Sequence, residues 1–367
     1  MMNSEKPGSR LEIRPLHFSD GPAIASLSEQ NGMGRLDLQA WQSVWEAYPL
    51  AADFREIPIG WVLENAEGRV LGYLGNMHQM YEYHGVFLKA ASSGSWMVDA
   101  AHRGTALPLV IAFYKQKGID LYLNGSANQL TIKVMAAFKI PRIPLPDYNT
   151  PCFWALRPRA FALAVMRRKS IPGASVLSWM AGSAIGIWDL SRQSGRGKQS
   201  VAVNQCETFG LGFDDIWPRL SSATPRLRAV RNAAILQWKF GVDLRAGNAI
   251  ILVAGPINQP SGYAVLIRRD PSELGMEMFD IADIQAVGDD PEVFKSLILA
   301  GIEAAHERGA DALKLSTGTP AKRRPAEALR PYSYQLPYWQ LYYKAAPSVT
   351  VDLSQSDSWD FSRFDTY

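Results

Sequence analysis

Cysteine is scarce in this chain: Cys152 and Cys206 are the only two in 367 residues. They form neither a disulfide framework nor a zinc-binding spacing, and they suit a reducing compartment. The five histidines make no close set with acidic or thiol ligands, so no metal is expected. An excess of one charge is also missing. Lys and Arg number 38 against 35 Asp and Glu, too even a balance for a protein whose main task is to hold nucleic acid. Long apolar runs are few. The first twenty residues are interrupted by Ser4, Glu5, Lys6, Arg10, Glu12 and Arg14, which argues against a secretory signal and for a cytoplasmic location. Residues 170–188 are free of charge and flanked by basic residues. Pro172, Gly173, Gly182 and Gly186 dilute the stretch below what a spanning helix needs. It reads as interdomain packing, with peripheral contact at the inner face of a membrane as the alternative.

What the chain does contain is an ordinary globular composition, 47% hydrophobic and 20% charged. Its length corresponds to two domains at about 150 residues each. The first block reads as a strand at 11–15, helices at 23–30 and 37–47, a hairpin over 61–74 and a strand at 88–98. A helix at 107–117, a strand at 120–123 and a helix at 129–138 follow. The second block repeats the order: strands at 249–254, 262–268 and 276–284, a helix at 291–308 and a strand at 311–316. A separation of about 190 residues with the same order suggests a duplicated fold. The expected boundaries are 1–157 for the first domain, 158–204 for a linker, 205–346 for the second domain and 347–367 for a peripheral tail held by its aromatics.

The sharpest local feature is Ser95-Trp96-Met97-Val98-Asp99-Ala100-Ala101-His102-Arg103-Gly104-Thr105-Ala106, a strand entering a tight turn and then a helix. A helix N-terminus presents unsatisfied N–H groups and the positive end of the helix dipole. Gly104 and Ala106 leave the backbone uncovered, and Arg103 and His102 add charge nearby, an arrangement suited to a diphosphate. Polar and aromatic residues at 76–84, including His78, Glu82 and His84, could line an acceptor slot. His84 is the first choice for a general base and Glu82 the second. The basic sets Lys322-Arg323-Arg324 and Arg219, Arg226, Arg228 and Arg231 read as solvated faces. Lys115, Lys117, Lys133 and Lys139 lie on helices bordering the proposed diphosphate site.

The window Ala101 to Ala106 resembles the signature of the GNAT superfamily of acyl-CoA-dependent N-acyltransferases through its Arg103-Gly104-x-Ala106 portion. Ala101 stands where that family has Gln or Arg. Asn128 occupies the place of a family Asn at the start of the following helix. Met135 falls where many members carry a Tyr that protonates the leaving thiolate, so either Tyr148 or Ser126 is the donor or the thiolate, being weakly basic, leaves unassisted. The resemblance implies an α/β (α+β) fold of two GNAT-like domains, each a mixed, mostly antiparallel sheet flanked by helices. It also implies acetyl-CoA or another acyl-CoA as co-substrate, held by Met97, Val98, His102, Arg103, Gly104, Thr105, Ala106 and Asn128, with a main-chain amide at Met97–Val98 as oxyanion donor. The second block resembles the fold more distantly. Its corresponding loop, Ala286 to Pro291, carries Asp289 and Asp290, which repel a diphosphate. Leu236-Gln237-Trp238-Lys239-Phe240 looks like segments of tandem-GNAT proteins from bacterial surface-polysaccharide gene clusters, implying an amine acceptor such as an amino sugar or glycan precursor. Two alternatives are a Fem-type aminoacyltransferase using aminoacyl-tRNA and a non-catalytic GNAT-fold scaffold. The absence of a Gly-x-Ser-x-Gly elbow points to direct attack on the thioester.

Overall fold

The computed structural model describes residues 11–168, 170–175, 177–179, 182–183, 197–269, 275–336 and 340–366. Two sheets share one interior. The first is built from β1 (Glu12–Pro15), β2 (Gly60–Glu64), β3 (Val70–Tyr83), β4 (Val86–Val98) and β5 (Leu121–Ala127), in that order. The second contains β6 (Cys152–Ala155), β7 (Val203–Cys206), β9 (Ala249–Ala254), β10 (Gly262–Arg269), β11 (Met278–Ala286), β12 (Ala312–Leu315) and β13 (Tyr332–Ser333), in the order β13-β6-β12-β11-β10-β9-β7. Between them in sequence, β8 (Leu227–Ala229) pairs with β3.

Both sheets are mostly antiparallel; besides the short parallel pairing of Trp359–Asp360 with β8, each has one parallel pair between long strands. β4 runs parallel to β5, and β11 parallel to β12. A parallel pair needs a crossover. The two crossovers are carried by α3 (Leu107–Lys115), the third helix after α1 (Gly21–Gln30) and α2 (Leu38–Glu46), and by the long helix Pro291–Glu307. Hairpin, crossover helix and parallel strand thus recur in both halves, as the element order suggests. Local chemistry starts these helices: Asp37 caps α2 by accepting from the Gln39 and Ala40 amides at 3.0 and 3.1 Å.

Sheet membership crosses the boundaries placed at 157 and 346. β6 pairs with β12, so residues 152–155 belong to the second sheet. In return, β14 (Gln340–Ala345) pairs with β5 and extends the first. Each half completes the other's sheet.

The tail is not peripheral. Trp359, Phe361 and Phe364 are buried, in the same core cluster as Leu71 and Val98 of the first sheet and Val253 and Val265 of the second. Asp360 and Asp365 are buried with them. Arg228 and Lys322 both pair with Asp360, and Arg231 pairs with Asp283 at 2.9 Å and Asp365 at 3.1 Å. These three cations, read from sequence as solvated faces, are enclosed because their partners arrive from the tail and from β11. Of residues 170–188, positions 176, 180–181 and 184–188 lie outside the described residues. Among the described residues no helix is long and apolar enough to cross a membrane.

Candidate functional site

β4 and β5 pair only at Ala90–Leu121, Ala91–Tyr122 and Ser92–Leu123. Beyond that point both strands continue without pairing to each other, and a wedge opens between them. Asn124 and Ser93 sit at its apex, with the Asn124 Nδ2 donating to the Ser93 Oγ at 2.8 Å. The Asn124 Oδ1 is buried and has no hydrogen-bond partner among the described residues. Such an oxygen is costly to bury unless something donates to it.

The wedge side of β4 also carries a bulge. Gly94 is opposite Gly75 and Met97 opposite Tyr73, so Ser95 and Trp96 together face Leu74, and Ser95 takes a φ of 50°. A bulge locally takes backbone groups out of the ladder. Met97 and Val98 follow it, opposite Tyr73 and Gly72, with their side chains buried. The backbone departure thus lies just before the residue pair expected to hold the oxyanion donor.

Past Val98 the loop winds into a 3-10 turn over Ala100–Thr105 and enters α3. Asp99 organises it. Its carboxylate accepts from the Ala101 amide at 2.9 Å and lies 3.2 Å from the His102 Nδ1, and these contacts hold its pKa below the usual carboxylate range despite partial burial. The His102 ring is thereby committed to Asp99, and the Thr105 hydroxyl donates to the His102 carbonyl at 2.7 Å. Arg103 and Gly104 are exposed. No described heavy atom lies within 4 Å of the position a Cβ at Gly104 would take, so a ligand can approach the backbone. Ala106, at the cap of α3, offers no side-chain acceptor to the first turn, where Pro108 has no N–H and the Leu109 amide donates to the Ala106 carbonyl at 3.3 Å. Leu107 and Leu130, large apolar residues at the starts of the two helices flanking the wedge, are 43% and 68% exposed.

Asn128 behaves differently from the expectation. Its Oδ1 caps the helix Gln129–Ala137, accepting from the Leu130 and Thr131 amides at 3.0 Å each. In the second half, Asp290 does the same for the helix that follows β11, accepting from the Glu292 and Val293 amides, while Asp289 pairs with Arg226. That helix start is filled by the protein's own carboxylate. The start of α3 is not.

The three catalytic candidates are dispersed. β3 continues as a strand to Tyr83, which places residues 76–83 along one strand and Glu82 and His84 at its far end. Glu82 is buried and accepts from the Ser221 hydroxyl. It lies eight residues along β3 from Leu74, about 26 Å at the rise of a strand. His84 sits exposed in the hairpin turn with φ 50°, about 33 Å from Leu74 by the same measure. Neither reaches a thioester held at the bulge. His78 is buried and stacked on Phe54, and burial lowers its pKa to about 4. Lys115, Lys117, Lys133 and Lys139 are exposed, with Lys115 at and Lys117 beyond the end of α3 far from its N-terminus.

Tyr148 is linked to β5 through Thr366. It is buried beside Thr366, with its ring 5.6 Å from Phe361, and burial keeps its phenol protonated far above neutral pH. The side chain of Thr366 in turn packs on β5 at Gly125, where an added Cβ would stand 3.0 Å from its Cγ2. The Thr366 carbonyl accepts from the Lys239 Nζ at 3.3 Å. Burial of this ammonium end, opposed by Asp365, lowers the Lys239 pKa to about 7. Thr366 therefore gathers β5, a phenol that stays protonated and an amine whose pKa burial lowers to about 7. Sequence reading missed Asn124, Thr366 and the role of Lys239. Only the Leu236–Phe240 segment drew notice to the lysine.

The arrangement of a strand with a bulge, a wedge to a parallel neighbour and an uncapped crossover helix is that of the GCN5-related N-acetyltransferase fold, and the chain has this fold. No family model matches the sequence, and no curated protein matches it. Solved structures similar to it include a GCN5-related N-acetyltransferase from Kribbella flavida, with 11% identity and a TM-score of 0.55, covering 92% of this chain and 71% of that one. A second, from Anabaena variabilis, has 12% identity and a TM-score of 0.56, over 92% and 73%. N-myristoyltransferase of Saccharomyces cerevisiae, solved with bound myristoyl-CoA, has 11% identity and a TM-score of 0.56, over 94% and 86%.

Proposed function

We propose that this protein is an acyl-CoA-dependent N-acyltransferase working through its first sheet. The observation that carries the reading is the end of β4–β5 pairing at Ser92–Leu123, set beside a helix start that has no side-chain cap. The residues fit the co-substrate. The Leu107 amide at the start of α3 and Arg103 would hold the diphosphate, the Leu107 and Leu130 side chains would cover the apolar parts of the co-substrate, and the Asn124 Oδ1 would accept from an amide N–H. A thioester carbonyl at the bulge would be polarised by backbone N–H groups.

The acceptor amine attacks the thioester carbon, a C–N bond forms, the C–S bond breaks and the thiolate takes up a proton. Tyr148 is the group for that proton, replacing the function Met135 cannot supply. Lys239, in its neutral form, takes the proton released by the amine, directly or through water. The acceptor enters from the side facing the second sheet, where ligand clefts between domains form. An amino sugar or glycan precursor is the acceptor class that the Leu236–Phe240 segment suggests. Asp290, in its capping position, supports a second half that does not hold CoA.

Calorimetric titration of CoA and acetyl-CoA tests the reading, comparing wild type with Gly104→Trp, which fills the space over the loop. Micromolar binding by the wild type and at least tenfold weaker binding by the variant are expected. No binding by the wild type rejects the reading and leaves the aminoacyl-tRNA and scaffold alternatives.

A further inference from the structure

The outer edge of β3 has a gap. β2 pairs with it as far as Gly75, and β8 pairs with it at Tyr81 and Glu82. In the interval lies a cavity of about 150 Å³ whose walls include Trp45, Tyr48, Phe54, Met77, His78 and Trp238. The walls are apolar or aromatic, and His78 is neutral at physiological pH because burial lowers its pKa. The charged Arg55 stands exposed at the rim. The Trp45 Nε1 is buried without a hydrogen-bond partner among the described residues, one donor in an otherwise apolar wall. A cavity of this size accommodates a compact group of about six carbons.

Met77 joins this cavity to the bulge. It lines the cavity, and its Cγ is the nearest described atom, at 3.9 Å, to the position a Cβ on Gly94 would take. Gly94 begins the bulge on β4. Met77 thus packs between the cavity and the bulge with no Gly94 side chain beside it, and methionine is an adaptable wall there. We infer that this cavity receives the acyl group of the thioester, and that the preferred donor carries a chain or ring of about four to six carbons, the number set by the volume. The inference rests on the acyl-CoA reading above.

Calorimetric titration of free CoA and of acetyl-, butyryl-, hexanoyl- and dodecanoyl-CoA separates the two. In the wild type, affinity rises roughly three- to fourfold per added methylene up to hexanoyl and falls for dodecanoyl. Ala51→Trp and Val44→Phe, both at the cavity wall, bring hexanoyl- and acetyl-CoA to within about twofold while free CoA binds as before. Wild-type binding that is independent of chain length, or a preference unchanged in both variants, overturns the inference and leaves the acyl-CoA reading standing. Failure of every CoA species to bind overturns both. The wild-type series decides the matter even if a variant does not fold.

Discussion

The Tyr81 phenol donates a 2.8 Å hydrogen bond to the Asp365 carboxylate across a sequence separation of 284 residues. The same carboxylate pairs with Arg231, which also holds Asp283 of β11. First sheet, second sheet and tail therefore meet at one buried carboxylate.

Asp365→Ala leaves Arg231 with one fewer partner and Tyr81 with none of its acceptor there. A loss of about 3–5 kcal/mol is expected, the usual cost of breaking a buried pair, against about 1.5–3 kcal/mol for Tyr81→Phe, which removes one hydrogen bond to a charged group. Urea unfolding measures both. Equal, negligible losses would show that the tail is not part of the cooperative unit.

Lys239 makes stability depend on pH. Its folded pKa of about 7 lies below the ordinary 10.5, so between these values the unfolded chain binds the extra proton and stability rises with pH. The Lys239→Met variant should lose this rise between pH 7 and 10. Denaturation midpoints across that window check the sign.

Asn124→Leu should separate folding from binding. It removes the bond to Ser93 but also an unpaired buried oxygen, so stability should change by no more than about 1 kcal/mol. Affinity for CoA should fall about tenfold if the Oδ1 accepts from the ligand, the loss of one good hydrogen bond. Unchanged affinity would remove Asn124 from the site.

Replacing Tyr148 by Phe should reduce kcat by at least tenfold, toward the lower end of general-acid effects, with stability nearly retained. His84→Ala and Glu82→Gln should leave turnover within about twofold, since both stand some 26 Å or more along β3 from the bulge. Thiol release from the acyl donor with a panel of amines reports all three. A large loss in His84→Ala would contradict the placement of the reaction at the β4 bulge.

Much of the fold was legible because its signals are local. Alternation in Trp61–Leu74, the Asp37 cap and the strand-turn-helix at Met97–Leu107 depend on neighbours within a few residues. The site was legible only where chemistry is written in consecutive residues, as in Arg103-Gly104-Thr105-Ala106. Asn128 matched the motif yet serves its own helix, because a cap and a ligand contact call for the same residue type. Lys239, Thr366 and Tyr148 carried no such mark, since their meeting depends on where three distant segments cross.

The sequence by itself determined two repeats of one element order, a basic and open loop in the first and an acidic one in the second. Periodicity and charge act over a turn or a strand, and those distances lie within the local chain. Tertiary structure alone decided that β6 and β14 exchange sheets, that the tail fills the shared core and that Arg228, Arg231 and Lys322 are buried. Those outcomes depend on long-range pairing, in which a buried cation finds its carboxylate and an open sheet edge finds its strand, and no local pattern encodes the partner.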